Sequence, residues 1–305
     1  MTYTALVIGY GSIGSRHADI LASMSQVDEV YVLSSQEYTP YKTIRSMTEI
    51  RDIDPDYIVV ASNTSSHFEE LCYLENSFRD KTILVEKPLF RQYHDLSIQN
   101  NSVWVGYNLR FHPLIQLIKN KIDCKDLWHI QVFCGAYLPE WRPGRDYRTT
   151  SSAKKESDGG VLLDLSHELD YVQWLAGNIT PEYVRHKKVS DLEIETEDLM
   201  LLTGRMANGE SVHITLNYFT RKPVRQIIID GEGISIQADI IASTATVYEN
   251  SSESQYSWED LSRNHTYKAE HEALLTGNFK HACSYQEGQE LMRLIDLCRS
   301  KSIIY

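Results

Sequence analysis

Along the first hundred positions, short apolar runs alternate with stretches whose apolar residues recur every three or four places. Thr4–Ile8 reads as a buried strand. Ile13, His17, Ile20, Leu21 and Met24 then follow at helical spacing. Val30–Leu33 and Tyr57–Ala61 are further strands, the latter followed by a helical pattern through Phe68, Leu71, Cys72 and Leu74. Thr82–Val85 and Val103–Tyr107 complete the series. Strand, helix and strand repeated in this way predict a parallel sheet covered on both faces.

After about Pro113 the texture changes. Leu138 to Gly160 is loop-like, with Pro139, Pro143, Gly144 and a Ser/Lys cluster. Val161–Leu175 reads as one helix ending at Gly177, a natural C′ residue. Strand-forming runs follow at Leu199–Thr203, Val212–Tyr218, Gln226–Asp230, Ile234–Gln237 and Ala245–Tyr248. Asn208-Gly209 and Gly231-Glu232-Gly233 separate such runs as hairpin turns. Gln286–Cys298 is a last amphipathic helix. The pattern therefore predicts an α/β domain over residues 1–112 and an α+β domain with an open, mainly antiparallel sheet over 113–305, its final helix at about 286–300.

Composition narrows the class. The chain has 305 residues, 42% of them apolar, with 30 Lys and Arg against 42 Asp and Glu and a net charge of −12. An acidic chain repels phosphate backbones at long range, which argues against a general nucleic-acid binder. No apolar run approaches the roughly 18 residues of a membrane span. The five cysteines (Cys72, Cys124, Cys134, Cys283 and Cys298) are odd in number and widely spaced, with no CxxC pair. They suggest reduced thiols rather than a disulfide framework or a zinc site. With no leader-like pattern after Met1, the expectation is a cytoplasmic protein without a metal.

Gly9-Tyr10-Gly11-Ser12-Ile13-Gly14 fits GxGxxG, follows a strand and opens a helix. In that context the glycines allow a tight turn, close approach of backbone to a pyrophosphate, and close helix–strand packing. The helix N-terminus presents free N–H groups to the phosphates. A dinucleotide is therefore the expected ligand. The second strand ends Leu33-Ser34-Ser35-Gln36, without the acid that usually holds a free ribose 2′-hydroxyl. Ser34, Ser35 and Arg16 instead suit a 2′-phosphate, so NADP is preferred over NAD. Asn63 and Thr64 stand at another strand C-terminus, where such sheets bind ligands, although nearby Ser65 or Ser66 would serve equally as a helix cap. Glu86-Lys87-Pro88 ends the Thr82–Val85 strand, and Pro88 stiffens the turn. An ammonium there can hydrogen-bond a reacting carbonyl or hydroxyl.

The ordered set Gly9–Gly14, Glu86-Lys87-Pro88, then Gly159-Gly160-Val161-Leu162-Leu163-Asp164 with His167 and Asp170, resembles the Gfo/Idh/MocA family of oxidoreductases over nearly the whole chain. The resemblance implies an N-terminal Rossmann domain and a C-terminal sheet domain that carries the substrate site and mediates a homodimer or homotetramer. It also implies a nicotinamide cofactor, NADP or NAD, and hydride transfer at an alcohol or ketone carbon of a sugar. By the same resemblance Lys87 is the catalytic lysine and His167 the acid–base histidine. The two are expected to meet beside the cofactor ring. His167 is suited to proton transfer by an ordinary pKa of about 6.5. Asp164, three residues before it on the same expected helix, orients His167, contacts substrate or joins a local polar network. The candidate cofactor contacts are Gly9, Gly11, Ser12, Ile13, Gly14, Arg16, Ser34, Ser35, Asn63, Thr64, His67, Glu86 and Lys87.

Three arginines crowd the stretch from Trp141 to Arg148 in an otherwise acidic chain. Arg forks suit carboxylate or phosphate, and aromatic rings suit a sugar face. Trp141, Arg142, Arg145, Tyr147 and Arg148 are thus candidates for an anionic or nucleotide-linked sugar. The alternative is that these arginines pair with local acids such as Glu140 and Asp146, or sit at a subunit interface. Asn108 and Arg110, after the last strand of the first half, face ligand or hold the domains together. The expected function is an NAD(P)-dependent oxidoreductase. Its rivals are an epimerase or hydrolase that recycles tightly held cofactor, and a cofactor-binding paralogue without turnover.

Overall fold

A computed structural model describes residues 2–122 and 126–301; Cys124 lies outside the described residues. The first stretch runs β1 (Tyr3–Ile8), α1 (Ser12–Ala22), β2 (Val27–Leu33), β3 (Lys42–Ile44), α2 (Ile50–Ile53), β4 (Tyr57–Val60), α3 (Thr64–Ser77), β5 (Thr82–Glu86) and β6 (Ser102–Gly106). The second runs α4 (Pro113–Ile122), β7 (Leu127–Gly135), α5 (Val161–Asp164), α6 (His167–Ala176), β8 (Thr180–Lys187), β9 (Leu199–Arg205) and β10 (Ser211–Asn217). It continues with β11 (Val224–Gly231), β12 (Ile234–Asp239), β13 (Thr244–Glu249) and β14 (Ser252–Ser257). Then come α7 (His265–Thr276), β15 (Cys283–Ser284) and α8 (Tyr285–Ser300).

The chain divides into two compact units. One joins the residues up to Phe111 with Arg263–Met292; the other joins His112–Ser262 with the chain from Arg293. The first unit holds a seven-stranded sheet ordered β15-β6-β5-β4-β1-β2-β3. All its pairs are parallel except β15 with β6. Residues 5–8, 57–60 and 83–85 are nearly fully buried. Continuous apolar runs of this kind are what a sheet covered on both faces requires. This is the expected Rossmann-type half.

Arg263–Met292 was expected in the second half. It belongs to the first unit because polar pairs far apart in sequence hold it there. The Tyr3 hydroxyl donates to the Leu275 carbonyl at 2.8 Å. The Asn108 amide donates to Thr266 Oγ1 at 2.8 Å. Arg110, 2% exposed, pairs with Glu287 at 2.7 Å. α7 itself went unpredicted, since its buried face mixes Thr266, Glu270 and His271 with Ala273, Leu274 and Leu275. That face has too few apolar positions for a periodic signal.

The second unit is an eight-stranded open sheet ordered β14-β13-β12-β11-β7-β10-β9-β8. It is antiparallel apart from β7 with β10. All five predicted strand runs are present, and β7, β8 and β14 join them. The stretch from Leu138 to Ser157 contains short 3-10 turns. The expected single helix over Val161–Leu175 is two. α5 ends at Asp164, Leu165 leaves helical geometry at φ −102°, ψ 30°, and α6 begins at His167. Asp164 and His167 therefore do not share one continuous helix. Each piece answers to its own tertiary partner. Asp164 accepts from the Tyr218 hydroxyl at 2.6 Å, whereas Glu168 is bound by Arg225 Nε on β11 at 2.6 Å.

Glu168 is fully buried and Arg225 largely so. Removing one partner of a buried ion pair strands the other. Glu168→Ala is therefore expected to lower unfolding free energy by about 3 kcal/mol. Glu182→Ala, at the exposed Glu182–Arg205 pair, should change it by less than about 1 kcal/mol. Denaturant titration of both variants checks the contrast.

Candidate cofactor and substrate sites

The glycine turn sits at the C-terminal end of β1. Gly9 has φ +89°, a conformation that side-chain-bearing residues rarely adopt, and its N–H donates to the Leu33 carbonyl at 2.9 Å. A Cβ at Gly14 would lie 2.0 Å from the Gly9 carbonyl oxygen, so only glycine lets α1 start against the turn. Gly11 differs: a Cβ there would meet nothing within 4 Å. Gly11 is also the N-cap of α1, with no side-chain bond to its first N–H groups. Open space over an uncapped helix start, beside exposed Ser12 and half-buried Ile13, fits an anionic diphosphate.

At the end of β2 the two serines separate. Ser34 is buried and its hydroxyl accepts from the Gln36 N–H at 3.0 Å, whereas Ser35 is exposed. Exposed Arg45, just past β3, donates to the carbonyls of Ser34 at 2.6 Å, Glu37 at 3.3 Å, and Gln36. It places a guanidinium at this tip. The sequence reading missed Arg45 because only the parallel pairing of Leu33 with Ile44 brings it to Ser34. Arg16 turns elsewhere, its guanidinium 5.2 Å from the Tyr267 ring centroid.

Asn63 is exposed and Thr64 half-buried at the end of β4; neither makes a side-chain cap there. His67 is 1% exposed. Its Nδ1 lies 3.2 Å from the Pro88 carbonyl and 3.3 Å from that of Leu89, and its Nε2 lies 3.3 Å from the Ser62 carbonyl. Burial pushes its pKa down. His67 is thus a brace under the turn after Lys87, not an open cofactor contact. On the same helix, burial raises the Glu70 carboxyl to about 7 although the Ser62 hydroxyl donates to it.

Glu86 also points inward, 7% exposed. Its Oε1 lies 2.8 Å from His17 Nε2, and its Oε2 accepts the Lys87 N–H at 2.9 Å. Lys87 is half-buried and joined to Pro88 by a cis peptide bond. Gly9, Asn63 and Lys87 thus end the adjacent strands β1, β4 and β5 on one edge of the first unit's sheet.

In the second unit, Asp164 and His167 are both half-buried. The Tyr218 hydroxyl that binds Asp164 is held protonated by burial and by that carboxylate. Tyr218 meets the Trp141 ring edge-on at 5.2 Å. It too was missed as a site residue; it reads only as the end of an apolar strand run. Trp141, Arg142, Arg145 and Tyr147 line a shallow surface hollow with Leu138 and Ser152. Among the described residues Arg142 and Arg145 have no ion pair and the buried Trp141 indole N–H has no hydrogen-bond partner.

Arg148 follows the alternative reading, pairing with local acid, rather than the substrate reading. It pairs with Asp146 at 2.9 Å and Glu193 at 3.0 Å, and its hydrogen bonds hold the Asp146 carboxyl below the usual range. Its fork is spent on these two carboxylates. Asn108 and Arg110 are likewise turned inward on Thr266 and Glu287, so they serve the packing of the first unit rather than a ligand.

Residues 115–237 match the family model of the GFO/IDH/MocA C-terminal domain. Levoglucosan dehydrogenase of Pseudarthrobacter phenanthrenivorans is 28% identical over 136 residues, 42% of this chain; the match spans about a third (35%) of that relative's length. Among solved structures, levoglucosan dehydrogenase in complex with NADH and levoglucosan superposes at TM-score 0.84, with 15% identity, covering 99% of this chain and 97% of the other. The WlbA dehydrogenase of Bordetella pertussis, in complex with NADH and UDP-GlcNAcA, gives 0.81 at 16% identity, with 99% and 95% covered. UDP-N-acetylglucosamine 3-dehydrogenase GnnA of Acidithiobacillus ferrooxidans gives 0.77 at 19% identity, with 99% and 98% covered. At these identities the likeness is one of fold. Among the described residues no helix is long and apolar enough to cross a membrane, and no group of three or more metal-ligating side chains occurs.

The last two glycines of the turn should separate in the test tube. Gly14→Ala is expected to cost about 3 kcal/mol of stability or more, because its methyl meets backbone. Gly11→Ala should fold within about 1 kcal/mol of the parent, since its methyl enters open space. Thermal and denaturant unfolding of the pair measures both.

Proposed function

We propose that this chain, whose residues 115–237 match the GFO/IDH/MocA C-terminal domain model, is a Gfo/Idh/MocA-type NAD(P)-dependent oxidoreductase acting on an alcohol or ketone carbon of an anionic sugar. The observation that carries the reading is the arrangement at one sheet edge: an open, N–H-lined glycine turn and a lysine two strands away. Ligands of open α/β sheets bind outside the strand C-termini. Gly9, Gly11, Ser12, Ile13 and Gly14 would hold the pyrophosphate, and Asn63 and Thr64 the nicotinamide half.

The nicotinamide, when bound, supplies the hydride acceptor or donor. The chain's own residues supply the rest. Oxidising a carbinol requires its hydroxyl proton to leave, and His167 is assigned as the acceptor. Lys87 is assigned as the ammonium that stabilises negative charge as it develops. Asp164, fixed by Tyr218, is assigned to orient substrate or His167. Glu86 and His67 are assigned to shape the turn that carries Lys87.

Arg142 and Arg145 favour an anionic substrate, since neither guanidinium is neutralised by a neighbouring carboxylate among the described residues. Trp141 and Tyr147 offer ring faces and an N–H to a sugar. The sugar and UDP-sugar substrates of the structural neighbours agree with this class. We read the protein further as cytoplasmic and as a homo-oligomer through the second unit's sheet. Trp128, Tyr183 and Tyr248 are exposed on β7, β8 and β13 there.

The functional test is a panel of UDP-sugars, UDP-linked uronic acids and levoglucosan, followed by absorbance of reduced cofactor. Net cofactor reduction is expected with an acidic sugar. Lys87→Ala should lower that turnover about 100-fold or more while leaving cofactor affinity within about twofold. Equal turnover in the two proteins would remove Lys87 from the mechanism.

The cofactor preference has its own measurement. Ser35 and Arg45 favour a 2′-phosphate, so fluorescence titration should show NADPH bound about tenfold more tightly than NADH. Arg45→Ala should erase the difference. Tighter NADH binding by the parent protein would overturn the assignment.

A further inference from the structure

Behind Lys87 lies a buried polar chain that the proposed reaction leaves unused. The Tyr57 hydroxyl is 2.8 Å from His271 Nδ1. His271 Nε2 is 2.8 Å from His17 Nδ1, and His17 Nε2 is 2.8 Å from Glu86 Oε1. The other oxygen of Glu86 accepts the Lys87 N–H. Tyr57, His17 and His271 are fully buried. They come from the start of β4, from α1 and from α7, all within the first unit.

We propose that Tyr57, His271 and His17 form a one-way hydrogen-bond chain that fixes the Glu86 carboxylate and, through it, the Lys87 backbone, which makes them positioning residues for Lys87. The function of the chain rests on the reading of Lys87 as catalytic; its direction does not. An ionised carboxylate can only accept, so His17 Nε2 must carry a hydrogen. A neutral His17 then has a bare Nδ1, which must accept from His271 Nε2–H. His271 Nδ1 is bare in turn and accepts from the tyrosine. All three donors point towards Glu86.

Reversing the whole chain would set a bare His17 nitrogen 2.8 Å from a carboxylate oxygen, acceptor against acceptor. A hydrogen on both His17 nitrogens would turn the two outer bonds round and leave the hydroxyl hydrogen of buried Tyr57 without an acceptor among the described residues. Burial also pushes His271 well below its ordinary pKa, consistent with a neutral ring. The groups around the chain are Tyr267, whose ring meets that of His17 at 5.5 Å, Arg16 over Tyr267, and Glu270 on α7. Aligned bonds in a low-dielectric site polarise one another, so the loss of the far hydroxyl is felt at the carboxylate.

Imidazole nitrogen NMR tests the direction without any substrate. In the histidine-labelled protein at about pH 7.5, His17 and His271 are expected as neutral rings protonated at Nε2. Tyr57→Phe keeps the ring and removes the terminal donor. It should shift the nitrogen resonances of both histidines towards mixed tautomers and speed hydrogen exchange of the Lys87 amide about tenfold. A His17 imidazolium, or an Nδ1-protonated ring in the parent, overturns the chain. So do ring resonances that ignore Tyr57→Phe. Ring shifts without faster Lys87 exchange overturn the positioning role. Loss of turnover in Lys87→Ala judges the catalytic reading separately.

Discussion

A parallel sheet brings its strand C-termini to one edge, and everything proposed for the first unit depends on that constraint. Sequence neighbours within a strand cannot build such a site; residues separated by whole helices must. Gly9, Asn63 and Lys87 occupy one edge because β1, β4 and β5 are adjacent and point the same way. The approach of α1 to the first turn is tight enough to exclude any side chain at Gly14. The room left over Gly11 is the complement of that contact. One glycine is set by packing and the other by what the turn leaves open.

The second unit solves a different problem. Its open sheet leaves one face to be covered, and α6 is fastened there by a buried Glu168–Arg225 pair. Asp164 is held separately by Tyr218. Two anchors, Tyr218 just past β10 and Arg225 on β11, hold the two short pieces where one continuous helix was expected.

Period and spacing made β1, β2, β4 to β6 and β9 to β13, the helix after the glycines and both fold classes legible, since burial on two faces and on one face leave different apolar patterns. The glycine turn was legible because its flanking elements were. What stayed hidden depended on distance in sequence. Arg45 reaches the tip of β2 only through strand pairing. Tyr218 looks like a strand-end apolar residue until its hydroxyl finds Asp164. Asn108, Arg110 and Arg148 looked available because charge and polarity carry no record of the partner each one finds. His17 was read correctly as a helical inward position, but its polar use required His271, 254 residues away.

The discontinuity of the first unit has a consequence for biosynthesis. During translation, the nucleotide-type half cannot close when its last early strand emerges. Its α1 presents a buried imidazole whose partner has not yet been made, and Arg110 awaits Glu287. Domains ordinarily complete themselves one after another as the ribosome delivers them. Here the first unit finishes only once Arg263–Met292 has followed His112–Ser262 out of the ribosome, which makes the two units coupled in time.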